Sequence, residues 1–395
     1  MTRPEGSDYY YLLLGLGTTA RRELRRKERR RGDISDHQIS MRQLLALLFA
    51  ALLSPAVQLL PRSSATLAGE AGWLSALAAL PVYLLLCWLV LRLLGRFPEG
   101  TGLAEAFQHT LGAPLGKGLT LLYLLWGLVA LAANLRSCGQ RLLTTSYRNT
   151  SLWGFVFLLL AVVFWTARGK LSAFARAGEI FFLILCMALG AVLFFGAFNL
   201  EADNVLPVWV EDVPDVLTSA VPVLGTLGYT VFGGFLAGEL RRKEGDRRRA
   251  LGWAAVFCLL LTAFQLVNLG NFGPGLVSRM DVPLYMLAKG IGVRGGFERI
   301  ESVVVALWVL SDLVLAGVLA FACCRMARSV FGLRRAEQAV LPVALLGGAG
   351  AVLLFSDGFA LRRFTETILT AGNLLLGFAV PLVVCLVAAV RQKSG

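Results

Sequence analysis

The chain has 395 residues, of which 57% are hydrophobic and 16% charged, with a formal net charge of +13. Soluble domains are about a quarter charged. The composition therefore excludes an ordinary globular domain and points to one membrane-embedded bundle.

Residues 1–38 stand apart from the rest. DYYYLLLGLG is an apolar run of about ten residues, too short to span a bilayer, and RRELRRKERRRGD follows it. The segment reads as a disordered, basic cytoplasmic arm attracted to anionic headgroups, at about 1 kcal/mol per basic residue. Its charges follow the short apolar run instead of preceding it, which argues against a secretory signal. The membrane pattern begins at ISDHQIS, residues 34–40.

From there to residue 392 the chain reads as one all-α membrane domain, 39–392. Apolar runs of about 18 residues or more with few charges read as membrane-spanning helices. Ten are predicted: 41–60, 71–94, 117–138, 151–168, 177–198, 218–240, 250–270, 298–324, 338–356 and 371–390. The shortest is glycine-rich, with Gly347, Gly348 and Gly350. Between spans five and six lies NLEADNVLPVWVEDVPDV, 199–216, with five acidic residues and no Lys or Arg. A cytoplasmic N-terminus would put 28 of the 38 Lys and Arg inside. That is the positive-inside bias, and it predicts ten spans with both termini cytoplasmic. The five-plus-five division around the acidic loop predicts two inverted five-helix repeats.

Spans one and six, corresponding members of those halves, both carry a defect. Span one contains Ser54–Pro55–Ala56, and proline removes a backbone donor. Span six, VPVLGTLGYTVFGGFLAGEL, has Gly225, Gly228, Gly233 and Gly234, each costing about 1 kcal/mol relative to alanine inside a helix. Matched interruptions point to a midplane binding site of transporter type. Exposed N–H groups at a helix break suit a carboxylate, and exposed carbonyls suit an ammonium group. Small residues that permit close helix packing are the other reading of the glycines. The predicted ligand site comprises Ser54, Pro55, Ala56, Tyr123, Gly225, Thr226, Gly228, Tyr229, Thr230, Gly233 and Trp308.

Asp312 lies about 20 Å from either flank of span eight at 1.5 Å per residue. A carboxylate at that depth is by default a functional hypothesis. With Ser54 it is a candidate cation or proton site, the alternative being a hydrogen-bonded structural carboxylate. Glu179 is expected to pair with Arg176 at the membrane edge. Arg136 is expected to reach the interface. Glu239 is expected to be a solvated or paired helix end. The seven cysteines form no CxxC, and the two histidines fit no metal-ligand spacing with them. No Walker loop, HExxH or GxSxG motif occurs, so neither an enzyme nor a cofactor is expected.

Several segments together resemble a known family. They are ISDHQIS before span one, GRFPEGTGLAEAFQHTLGAPLGKGLTLLYLL leading into span three, ARAGEIFF opening span five, NLEADNVLPV, and GFERIESVVVALWVL opening span eight. In order and spacing the chain resembles the B subunit of spore germinant receptors. This is the spore germination permease family, within the amino acid–polyamine–organocation transporter superfamily. The resemblance implies a ten-helix bundle in the inner membrane of a bacterial spore. It implies partner A and C subunits and a small nutrient germinant, usually an amino acid. In the superfamily helix eight passes beside the broken part of helix one and can carry a cation site, which would place Asp312 near Ser54. Relatives often carry an acid in the span-six break, where this chain has Gly228–Tyr229. A proton- or sodium-coupled amino-acid transporter is the alternative function.

Overall fold

The structure, a computed structural model, describes residues 38–145, 151–290 and 300–391. The N-terminal arm up to residue 37 and the first two residues of predicted span eight lie outside the described residues.

Helix α1 (Met41–Ala68) is opened by a reciprocal cap. Gln43 N–H donates to Ser40 Oγ at 3.2 Å, and Ser40 N–H donates to Gln43 Oε1 at 2.9 Å. That satisfies two donors otherwise left open at a helix start. Gly69, at φ +51°, ends the helix. Gly72 then lets the turn press on α1: a Cβ there would stand 2.7 Å from the Ser64 carbonyl oxygen.

Helices α2 (Ser75–Leu94), α3 (Leu103–Leu111), α4 (Ala113–Thr145), α5 (Leu152–Ala167) and α6 (Leu171–Ala197) follow. Past the acidic loop, α7 (Val213–Leu227) passes through a tight 3-10 turn, Gly228–Thr230, into α8 (Val231–Leu236). Then come α9 (Asp246–Val277), α10 (Pro283–Gly290), α11 (Ile300–Phe331) and α12 (Val340–Leu353). The last stretch is α13 (Gly358–Arg363), α14 (Thr370–Leu374) and α15 (Val380–Arg391), joined by wide π-helical turns at Phe364–Leu369 and Leu375–Ala379. Two short strands, β1 (Ile39–Ser40) and β2 (Leu240–Arg241), pair in parallel and tie the start of α1 to the chain just beyond α8.

Among the described residues, eight stretches are long and apolar enough to cross a membrane. The first, Met41–Leu94, holds both α1 and α2, and α5 is a shorter apolar helix of 16 residues. The ten stretches read from the sequence fall on these helices, with shifted edges. The protein is an all-α integral membrane protein. Its centre is the α7–α8 stretch, with 78% of its most apolar window buried against 22% for α6. α6 turns Ile180, Leu183, Met187 and Phe194 outwards.

Three sequence expectations change. Span one is not broken: α1 stays helical through Pro55 and Pro61. One residue before Pro55, the Ser54 N–H is engaged by a neighbouring helix, as described below. Glu179 pairs with Arg42 at 3.1 Å, whereas Arg176 Nε donates to the Ser172 carbonyl. Arg136 does not reach out to an interface. It is 4% exposed, with its guanidinium 4.6 Å over the Trp153 ring. α4 runs beyond predicted span three and carries Arg136 and Arg141 inside the bundle. Glu239, expected to be a solvated or paired helix end, pairs with Arg325 of α11.

Candidate ligand site at the α1–α11 junction

The site begins with two weakened links in the α1 ladder. Pro55 has no N–H to give to the residue four places earlier. One residue before it, the Ser54 N–H donates to Ser311 Oγ at 2.8 Å, and the Ser311 hydroxyl donates to the Ala50 carbonyl. Ser54 N–H and Ala50 C=O are the pair that a regular helix joins directly. A side chain from α11 is thus wedged into the ladder of α1, one of the recognised causes of helix deformation. The membrane offers no water to do this work.

The next residue of α11 is Asp312. Its Oδ1 accepts from Ser54 Oγ at 2.6 Å and from Asn134 Nδ2 at 3.3 Å. Its Oδ2 is paired with Arg141, which also donates to Gln58 Oε1. Asp312 is 2% exposed and Arg141 7%. Three helices therefore meet on one buried ion pair: α1 through Ser54 and Gln58, α4 through Asn134 and Arg141, α11 through Ser311 and Asp312. Isolated ions at this depth would cost several kcal/mol each, so partners on both oxygens are what make the carboxylate tenable. The two residues expected to hold a cation or proton, Ser54 and Asp312, are in contact, and the positive charge beside them is Arg141.

Ser54 also lines a narrow cleft between α1, α6, α10 and α11, with Leu53, Val57, Leu189, Trp308 and Ser311 among its walls. Its volume of about 20 Å³ is little more than one water needs. Trp308 is 5% exposed, and its indole N–H has no partner among the described residues. A second cleft, of about 70 Å³ and large enough for a few waters, lies between α1, α2, α8 and α9. Thr230 and Gly233 line it, with Leu48, Cys87 and Trp253.

The remaining expected ligand residues face helix neighbours. A Cβ on Gly225 would stand 2.6 Å from Thr370 Cγ2, and one on Gly228 would stand 2.6 Å from the Asn373 carbonyl oxygen. Asn373 Nδ2 donates to the Gly225 carbonyl at 3.0 Å, and Trp126 Nε1 donates to Asn373 Oδ1 at 2.9 Å. Tyr123 donates its hydroxyl to the Leu376 carbonyl. Tyr229 is buried beside Asn373. Thr226 bonds back to the Pro222 carbonyl at 3.1 Å. Ala56 is fully buried, while Pro55 is half-buried. The glycine face of α7 is thus a seat for the last helical stretch, centred on Asn373.

Sequence reasoning missed Arg141, Gln58, Ser311 and Asn373. For Asn373 the signal was present: an amide inside an apolar span is itself a functional or structural marker. Gln58 sits inside predicted span one, and Ser311 adjoins Asp312. Only Arg141 had no sequence cue, because the apolar run of span three stops before it.

Ser311→Ala is expected to cost about 1–3 kcal/mol, since one hydroxyl serves both an N–H and a C=O in a dry interior. A lowered thermal unfolding midpoint that Ser311→Thr largely restores would bear this out.

The bundle shares its fold with solved membrane proteins. A Na+-coupled sialic acid symporter in a substrate-bound outward-open state superposes with a TM-score of 0.59 at 12% identity, over 87% of this chain and 79% of that one. MhsT in complex with L-phenylalanine gives 0.61 at 17% identity, over 85% and 87%. The sequence is more specific. The profile of the spore germination protein family matches residues 38–354, and the chain belongs to that family. It is similar to spore germination protein KB of Bacillus subtilis (strain 168), 22% identical over 312 residues, or 78% of this chain and 83% of that protein. Spore germination protein B2 of the same organism is 25% identical over 175 residues, or 44% and 47%. This is a transporter-like membrane family, not an enzyme family.

Proposed function

We propose that the chain is the membrane-embedded sensing subunit of a spore germinant receptor. It binds a small nutrient germinant, with an amino acid the favoured class, at the α1–α11 junction. It acts in the inner membrane of the spore with A and C subunits, both termini in the cytoplasm, as ten helices in two inverted five-helix repeats. Family membership supports the germination role, and the likeness to symporters supports the repeat arrangement.

The observation that carries the site is the double position of Ser54. Its hydroxyl holds Asp312, and the same residue walls the cleft that Trp308 also lines. This keeps the span-one half of the expected site. Its other half becomes α6, α10 and α11 in place of Gly225 and Gly228, which are occupied by packing. The cleft is too small for an amino acid as it stands, so ligand must select a conformation in which α6 or α10 stands off from α1 and α11. Such a shift would disturb the Ser311 wedge and the Arg42–Glu179 pair, and through them the surfaces offered to partner subunits.

Trp308→Phe tests this with little risk to folding, because the N–H it removes has no partner among the described residues. If germinant accepts that N–H, the variant should need roughly tenfold more nutrient for half-maximal germination, about one hydrogen bond. An unchanged nutrient response in spores carrying the variant would remove Trp308 from the site.

A further inference from the structure

We propose that Arg141 is a resident cation, filling a position that would otherwise bind a monovalent metal ion. The inference concerns the junction assigned above and rests on that reading only for its bearing on germinant response. The groups converging there are oxygens: both carboxylate atoms of Asp312, Ser54 Oγ, Gln58 Oε1 and, beside them, Asn134. Asn134 Oδ1 is buried and has no partner among the described residues. A set of one carboxylate with hydroxyl and amide oxygens in a water-poor interior is the donor chemistry of a hard cation. Here the guanidinium occupies it, tethered to α4 and bonded to both α1 and α11.

A charge fixed by a covalent tether does not come and go with the medium. The junction of α1, α4 and α11 is therefore held together without an ion from solution, and the germinant response needs no sodium gradient. Removing the guanidinium side chain leaves the carboxylate and its oxygen neighbours exposed to one another, and a sodium ion becomes the simplest compensation.

The test uses the purified full-length chain in detergent, with no germinant present. Thermal unfolding is followed in NaCl and in choline chloride of equal ionic strength. The wild type should unfold at the same midpoint in both. Arg141→Met should have a lowered midpoint in choline that rises saturably by several degrees with sodium, as mass action requires of a ligand bound only by the folded state. Arg141→Met combined with Asp312→Asn should show no sodium response. Saturable sodium stabilisation of the wild type would overturn the proposal, as would a folded Arg141→Met indifferent to sodium. If Arg141→Met alone fails to fold, the double variant should recover folding, and failure to recover would also overturn it. Because no germinant enters this measurement, its outcome is independent of the Trp308 result.

Discussion

Asp312→Asn should be the most damaging single substitution in the membrane domain, costing about 3–5 kcal/mol. The change is nearly isosteric, so packing is not at issue. Asparagine can still accept from Ser54 and Arg141, yet it carries no charge. Arg141, 7% exposed, is left as a buried cation with only neutral partners. Breaking a buried pair by removing one member costs more than the intact pair contributes, because the survivor keeps its desolvation penalty. The thermal unfolding midpoint should fall sharply, and adding Arg141→Met should recover part of the loss. A variant within about 1 kcal/mol of the wild type, an ordinary surface-like effect, would mean that the pair does not hold the junction.

The second large effect is expected at Gly228. Alanine there places its Cβ 2.6 Å from the Asn373 carbonyl oxygen and 3.0 Å from the Asn373 Cβ. The oxygen belongs to the backbone, so no side-chain rotation relieves the contact. Gly377 approaches from the same side, where its own Cβ would stand 2.9 Å from Gly228 Cα. Overpacking of this kind costs about 1–3 kcal/mol for alanine, and Gly228→Leu should cost more. The Asn373 bond to the Gly225 carbonyl would be strained with it. Gly190 on exposed α6, where a Cβ meets nothing within 4 Å, is the control. Gly190→Ala should be neutral or stabilising by up to about 1 kcal/mol, from helix propensity alone. Paired unfolding midpoints decide the matter: equal effects at the two glycines would show that the α7 face is not tightly seated.

These two sites show what was legible in the sequence and what was not. The helices were legible because apolar runs long enough to span a bilayer have few other fates. The nearness of Ser54 and Asp312 was implied by the family resemblance, and the two side chains hydrogen-bond. Depth alone marked Asp312 as costly, but depth does not name a partner. Arg141 escaped notice because it follows the last apolar residues of its run, while α4 continues to Thr145. A long side chain reaching back along its helix then brings the guanidinium to the carboxylate. The glycines of span six carried two meanings that composition cannot separate, a backbone bared for ligand or a surface cleared for another helix. Asn373, Thr370 and Gly377 decide for the second at Gly225 and Gly228, and those residues lie about 150 positions away. Pro55 was correctly read as a ladder defect. The Ser311 hydroxyl, which bridges the neighbouring Ser54 N–H and Ala50 carbonyl, is a tertiary fact.

The two defects now differ in kind. The one in α1 adjoins a link bridged by a polar side chain, next to a charged cluster and a cleft. The one at Gly228–Thr230 is a tight turn packed against the last helical stretch. Their correspondence five helices apart remains part of the proposed repeat, but only the first borders the proposed germinant site.

The proposed binding of a small germinant where α1, α6 and α11 meet is tested by filling that cleft. Ala188 of α6 lines it, and Ala188→Phe occupies the space at an overpacking cost of about 1–3 kcal/mol. Thermal-shift titration of the purified chain with single nutrients should give a saturable rise for the wild type with at least one of them. Ala188→Phe should show no rise with that nutrient over the same range, while retaining a cooperative unfolding transition. A wild-type-like rise in the filled variant would place the germinant elsewhere and contradict the assignment.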